Sequence, residues 1–455
     1  MTTPADHLDQ AHRQSLWTPF LRMETVLEHG PVVFDRAEGV YVWDSTGKRY
    51  LDAHASLWLM NVGFGRQEIV DAACAQMSRL PFFSMFQGYS NAPAIALAER
   101  LLQLTAPEGM GRVFYSDSGS EAVETAFKIA RQYWKNRGQA GKYKFISRRN
   151  AYHGVTFGAM SATGMMSNRR MFEPLVPGFR HIADPNCYRN EFGTGLSEEE
   201  VAVAASEALR RQILFEGPET VAAFIAEPVQ GAGGVVVPPA GYLQRCREIC
   251  REYDVLFIAD EVITGFGRTG TWFGSRTYGI QPDIMCFAKG LTSGYVPMSA
   301  TLCRAEIFEA FLGPATGRTE LRHGNTYSGH ATAAAAALAN LAIIERENLP
   351  ENARVVGRYF LEQLRTLERH PIVGDVRGVG LLARVELVAD RATKAQFTPA
   401  GSVGPKVQRR AQELGVIIRP VLDVLTFSPP LILTKAQADE IVAVMDQAIG
   451  EVTKV

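Results

Sequence analysis

No stretch of this chain is apolar for long enough to cross a membrane. The longest bland run, residues 333–344, contains Asn340 and falls short of the roughly 20 apolar residues a spanning helix needs. The start, Met1-Thr2-Thr3-Pro4-Ala5-Asp6, also lacks the charged-then-apolar pattern of a secretory signal, so a cytoplasmic location is expected. Runs of one charge sign are missing as well. Lys and Arg total 47 against 48 Asp and Glu, a formal net charge of -1, which excludes nucleic acid as an expected partner. Cysteine is scarce and scattered: Cys74, Cys187, Cys246, Cys250, Cys286 and Cys303 offer no second ligand pair beside the helically spaced Cys246 and Cys250. They read as buried, reduced thiols, and no metal is expected.

At 455 residues the chain is long enough for two or three domains with large cores. Gly39-Val40-Tyr41-Val42-Trp43 and Lys48-Arg49-Tyr50-Leu51 flank the turn-forming Asp44-Ser45-Thr46-Gly47, which predicts a hairpin. From about residue 70, short apolar runs alternate with helical stretches. The runs are Val113-Phe114-Tyr115, Lys144-Phe145-Ile146, 221–226, 255–259 and 284–287. This alternation predicts an α/β fold with a mostly parallel sheet sandwiched by helices. After a small-residue helix near 330–346, strands are expected at 380–388, 416–418 and 431–433, then an amphipathic helix with Ile441, Met445, Ala448 and Val452 on one face. That part reads as a smaller α+β domain which the early hairpin joins, so that both chain ends build it. The expected divisions are 1–70, an N-terminal contribution to the small domain; 71–330, the large domain; and 331–455, the C-terminal small domain.

Lys289, in Phe287-Ala288-Lys289-Gly290, closes an apolar strand, and a lone interior ammonium is costly enough that it usually gives up its proton. Such an amine attacks carbonyls. The preceding apolar run, 255–259, ends in Asp260 and Glu261, which brings a carboxylate and an amine to one sheet edge. The pair fits a pyridoxal phosphate site, with the lysine bonding the cofactor and the aspartate keeping its pyridine nitrogen protonated. Ser116-Asp117-Ser118-Gly119-Ser120 feeds a helix, whose first N–H groups make a phosphate seat; Ser118 or Ser120 serving only as a helix cap is the competing reading. Tyr152-His153-Gly154 offers an aromatic face to a cofactor ring or is simply structural, and Glu227 is a second strand-end acid or one facing water. Gly265-Phe266-Gly267-Arg268-Thr269-Gly270 matches a dinucleotide fingerprint literally. Asp260 and Glu261 before it would repel a pyrophosphate, and Trp272-Phe273-Gly274 after it is a poor helix start, so a glycine-rich loop beside the site is the better reading.

Taken together, these blocks resemble the class III, fold-type I pyridoxal phosphate-dependent aminotransferases. The likeness rests on 118–122, Tyr152-His153-Gly154, the Glu227-Pro228 block through Gly234, Asp260 through Gly270, Ala288-Lys289-Gly290 and 323–330, in order from about Gly39 to the last helix. It implies that Lys289 binds the cofactor, Asp260 contacts its ring nitrogen, Val262 and Tyr152 sandwich the ring, and Ser118, Gly119 and Ser120 hold the phosphate. His153 and Glu227 would complete the network, and Thr326 would reach the phosphate of a neighbouring subunit in a homodimer or a tetramer. Within the class, the chain is similar to the amine–pyruvate group, with Phe20, Trp58 and Phe86 as apolar walls, Tyr152 and Ala232 at the pocket, and Arg419 binding a carboxylate. Arg419 read alone suggests an exposed ion pair. Asn325, where phenylalanine is frequent, and Ser56, where glycine is frequent, depart from that group's pattern. The expected reaction is transfer of an amino group from a primary amine, polyamine or β-/ω-amino acid to pyruvate or another keto acid. Rival readings are an aminomutase or racemase on the same scaffold, a nucleotide-dependent dehydrogenase and a noncatalytic cofactor-binding protein.

Overall fold

The computed structural model describes residues 4–314, 317 and 319–453, so Met1-Thr2-Thr3, used above for the signal pattern, lies outside the described residues. A seven-stranded sheet carries the site. Its order is Arg112–Ser116, Ser299–Cys303, Ile284–Phe287, Leu256–Asp260, Val221–Ala226, Lys144–Arg148 and Phe179–Ile182. Only Ser299–Cys303 runs antiparallel to its neighbours; the other pairings are parallel. The three central strands, 221–226, 256–260 and 284–287, are buried at every position, which is why they read as unbroken apolar runs. The helix Gly119–Asn136 lies across this sheet with Ala122, Ala126, Ile129 and Ala130 buried, the face the sequence predicts.

The hairpin forms as expected from Tyr41–Asp44 and Arg49–Asp52. Its second strand pairs in parallel with Val416–Ile417, so distant parts of the chain share one sheet. A third, antiparallel sheet joins Val373–Val379, Leu382–Leu387, Val424–Phe427 and Arg419–Val421. The terminal helix Lys435–Val452 buries Ile441, Met445 and Ala448 and starts with a Thr434–Gln437 capping box.

The strand expected at 380–388 forms as Leu382–Leu387; a strand not expected from sequence, Val373–Val379, precedes it, with Gly380, φ 56°, in the tight turn between them. Two other expectations need correction. Residues 431–433 form no strand: Pro429 and Pro430 precede them, and Leu431 and Leu433 instead plug the core. The helix Ala331–Arg346 packs on Gln67–Arg79 and Ala92–Leu104. Among the thiols, Cys74 is exposed rather than buried, being on the outer face of its helix. Among the described residues no helix is long and apolar enough to cross a membrane.

Candidate active site

Three neighbouring parallel strands end in the residues singled out from sequence. Asp260 closes 256–260 and pairs with Cys286; Glu227 follows 221–226; Lys289 lies two residues beyond 284–287. Parallel strands bring their carboxyl ends to one edge, so this topology converges the three groups. Lys289 sits in the left-handed region, φ 46°, and the amide of Asn340 holds the turn after it by donating to the carbonyls of Gly290 and Leu291, both at 2.9 Å.

The electrostatics suit a reactive amine. Lys289 is half-buried, and desolvation of its amine pulls its pKa down to about 8, with Asp260 and Glu227 opposing and Arg419 and Arg268 reinforcing the shift. Its Nζ is 5.3 Å from the Trp58 ring centroid and forms no ion pair among the described residues. Asp260 is oriented from two sides: its Oδ2 is 2.7 Å from His153 Nδ1, and its Oδ1 accepts the Val262 N–H at 3.1 Å. Glu227 accepts from the Tyr152 N–H at 3.0 Å and the Gly231 N–H at 2.9 Å, and burial raises its pKa. A water-facing Glu227 is thereby ruled out.

A cavity of about 140 Å³ opens between these groups, walled by Gly119, Ser120, Tyr152, Asp260, Val262 and Lys289 among others. Gly119 is needed there for space: a Cβ would stand 3.0 Å from Val262 Cγ1. Capping and anion seat are separate jobs on the same turn. Ser118 Oγ accepts the Glu121 N–H and the Glu121 carboxylate accepts back, while Gly119 and Ser120, at the first turn, line the cavity. Ser118 itself does not line it. Ser120 Oγ accepts from the Val155 N–H at 3.0 Å. Helix N–H groups for an anion, an aspartate fixed by a histidine, a flat slot and a deprotonatable amine together fit a planar, phosphate-bearing aldehyde cofactor.

The expected pocket walls divide. Trp58 is 2% exposed and stacks under Arg419, whose Cζ is 4.8 Å from its centroid. Arg419 has no ion-pair partner among the described residues, which removes the surface ion-pair reading, and with Ala232 it lines a second, larger cavity of about 430 Å³. Phe20 is 74% exposed, Phe86 is half exposed with its ring over Gly324, and Thr326 is exposed; none of the three, nor Trp58, lines the cavity beside Lys289.

The 265–270 loop is no dinucleotide cradle. Only the four-residue helix Gly274–Thr277 follows it, and the buried Arg268 bonds the carbonyl of Ser428 and Asn61 Oδ1. Glu261 closes the loop by accepting the N–H groups of Gly274 and Ser275. Sequence reasoning missed Asn340, Glu261 and Arg268 as supports; their partners are remote in the chain, and only the out-of-place polar residue in an alanine helix flagged Asn340.

Comparison with known proteins agrees with this geometry. The aminotransferase class-III family model matches residues 24–449. A putrescine–pyruvate aminotransferase of Pseudomonas aeruginosa is 44% identical over 434 residues, 95% of this chain and 93% of its own. A diaminobutyrate–2-oxoglutarate transaminase of Halomonas elongata is 43% identical over 426 residues, 92% of this chain and 90% of its own. The omega transaminase of Pseudomonas jessenii, solved in complex with PMP, superposes with a TM-score of 0.96 at 44% identity, covering 98% of each chain. With the family model and both relatives spanning the strands that carry Asp260 and Lys289, this chain belongs to the class III aminotransferases.

Proposed function

We propose that the protein is a pyridoxal phosphate-dependent amine transaminase, moving the amino group of a primary amine, polyamine or β-/ω-amino acid to pyruvate or another keto acid. The observation that carries this reading is a desolvated Lys289, with its pKa lowered to about 8, at the same strand edge as a histidine-fixed Asp260. When bound, pyridoxal phosphate supplies an aldehyde for attachment and an electron sink for the carbanion. Gly119 and Ser120 hold the phosphate through the free N–H groups of the helix start. Asp260, kept in place by His153 and the Val262 N–H, holds a proton on the ring nitrogen. Val262 and Tyr152 flank the slot. Lys289 in its neutral form takes the proton from the substrate carbon, which its lowered pKa permits near neutral pH.

Arg419 receives the keto acid's carboxylate. It is a cation without an acid partner among the described residues, beside a cavity larger than the one at Lys289. An amine without a carboxylate leaves it stacked on Trp58. Exposure of Phe20, Phe86 and Thr326 on the single chain supports a homodimer in which a second copy completes each site. The test is steady-state kinetics with a primary amine and pyruvate. Parallel double-reciprocal lines with stoichiometric alanine support the reading; turnover of the amine without a keto acid would replace it with an aminomutase or racemase.

A further inference from the structure

We propose that Asp52 is a positioning residue for the substrate pocket: its carboxylate holds the strained turn 54–57 that presents Trp58 beside Lys289 and Arg419, and so sets the size of amine the site accepts. The inference rests on the transaminase reading and adds a specificity determinant to it.

The chain leaves the Arg49–Asp52 strand through an uncommon path. Ala55, Ser56 and Trp58 have φ of 46°, 59° and 59°, three non-glycine residues in the left-handed region within four positions. Ser56, with ψ -79°, is in the strained γ-turn region. Such conformations cost of order 1–3 kcal/mol each and persist only where the surroundings over-determine them.

Asp52 supplies that restraint. It is buried, has no ion-pair partner among the described residues, and accepts the His54 N–H on one oxygen at 3.0 Å and the Ser56 N–H on the other. Behind Trp58 stands the His54 ring, 4.2 Å between centroids and edge-on, with Ser428 Oγ donating to the His54 carbonyl at 3.1 Å. Lys289 Nζ and Arg419 Cζ stand over the same indole, 5.3 and 4.8 Å from its centroid. Asp52 also pairs with Ile417 in the parallel bridge, and the Ala53 N–H donates to the Ile417 carbonyl at 3.0 Å, two residues before Arg419. One short segment therefore anchors both Trp58 and the cation stacked on it.

The experiment compares the wild type with Asp52→Asn, each with and without Trp58→Ala. It reads the kcat/KM ratio for 1-phenylethylamine against propylamine, with pyruvate as acceptor, and hydrogen exchange of the 53–58 amides in the purified protein. Asparagine keeps only one acceptor oxygen. The ratio should shift ~10-fold in the wild-type background, the worth of one charge-assisted hydrogen bond, and less than ~2-fold once Trp58 is gone. The His54 and Ser56 amides should exchange roughly tenfold faster. An unchanged ratio, or equal shifts in both backgrounds, overturns the proposal, as does unchanged exchange. If the wild type transaminates neither amine, the functional reading fails and the exchange arm alone decides the Asp52 clamp. If Asp52→Asn does not fold, Asp52→Glu decides. It keeps the charge but displaces the carboxylate by one methylene from the His54 and Ser56 N–H groups and should shift the ratio about 5-fold, a little over 1 kcal/mol; no shift overturns the proposal.

Discussion

The rim proposed to carry the chemistry and the rim proposed to face the substrate are held in different ways. Lys289, Asp260 and Glu227 stand at the ends of strands buried on both faces, and each is fixed or surrounded by groups of its own chain. Phe20, Phe86 and Thr326 project from loops and lie exposed on the single chain. Trp58 and Arg419 sit between these extremes, buried or half-buried and leaning on each other across a sheet shared by distant segments. The contrast teaches that the strand-end groups are held by their own chain, while the exposed residues are left for the second copy of the proposed homodimer to cover.

Perturbing the first rim should have the largest effect. Lys289→Ala should lower kcat by ~10³-fold or more, since it removes the group proposed both to bond the cofactor and to move the proton; normal overall transamination by this variant would end the assignment. In the middle region, Arg419→Ala should raise KM for pyruvate ~10- to 100-fold, the value of a charge-assisted hydrogen-bond pair. KM for a carboxylate-free amine should change little, and equal rises for both substrates would contradict the role given to Arg419.

Burial of Lys289 also predicts a pH dependence of stability for the cofactor-free protein. Its folded pKa, lowered to about 8, is below the ordinary 10.5, so in between the unfolded chain binds more protons and stability rises with pH. Below about 8 the full penalty of the buried amine applies, and above the ordinary value it is gone. Denaturant midpoints of the wild type minus those of Lys289→Met should climb across that window; a flat difference would show an unshifted lysine. The smallest effect belongs to the cap: Ser118→Ala should cost about 1 kcal/mol of stability. Because Ser118 does not line the cavity, cofactor affinity should change far less than with a substitution at Gly119.

What could be read in the sequence follows the same division. The central strands announced themselves because burial on both faces writes unbroken apolar runs, and Lys289 and Asp260 stood out as charges closing them. Phe179–Ile182 and Ser299–Cys303 escaped notice, the first holding Arg180 and His181, the second small and polar residues at Ser299, Ala300 and Thr301. The strand Val424–Phe427 was missed because Leu431 and Leu433 made a louder apolar signal that turned out to be core plugging after two prolines. The pairing of Asp52 with Ile417, the bond from Asn340 to the turn after Lys289 and the burial of Arg268 all join residues far apart in the chain, and local patterns carry no trace of them.

The most direct test is the visible absorption spectrum of the purified protein, recorded alone, after a simple primary amine and again after pyruvate. The account predicts a yellow band that fades with the amine, returns with pyruvate and is absent in Lys289→Ala treated the same way. A protein that shows no band even after pyridoxal phosphate is added, or whose band ignores both substrates, would contradict it.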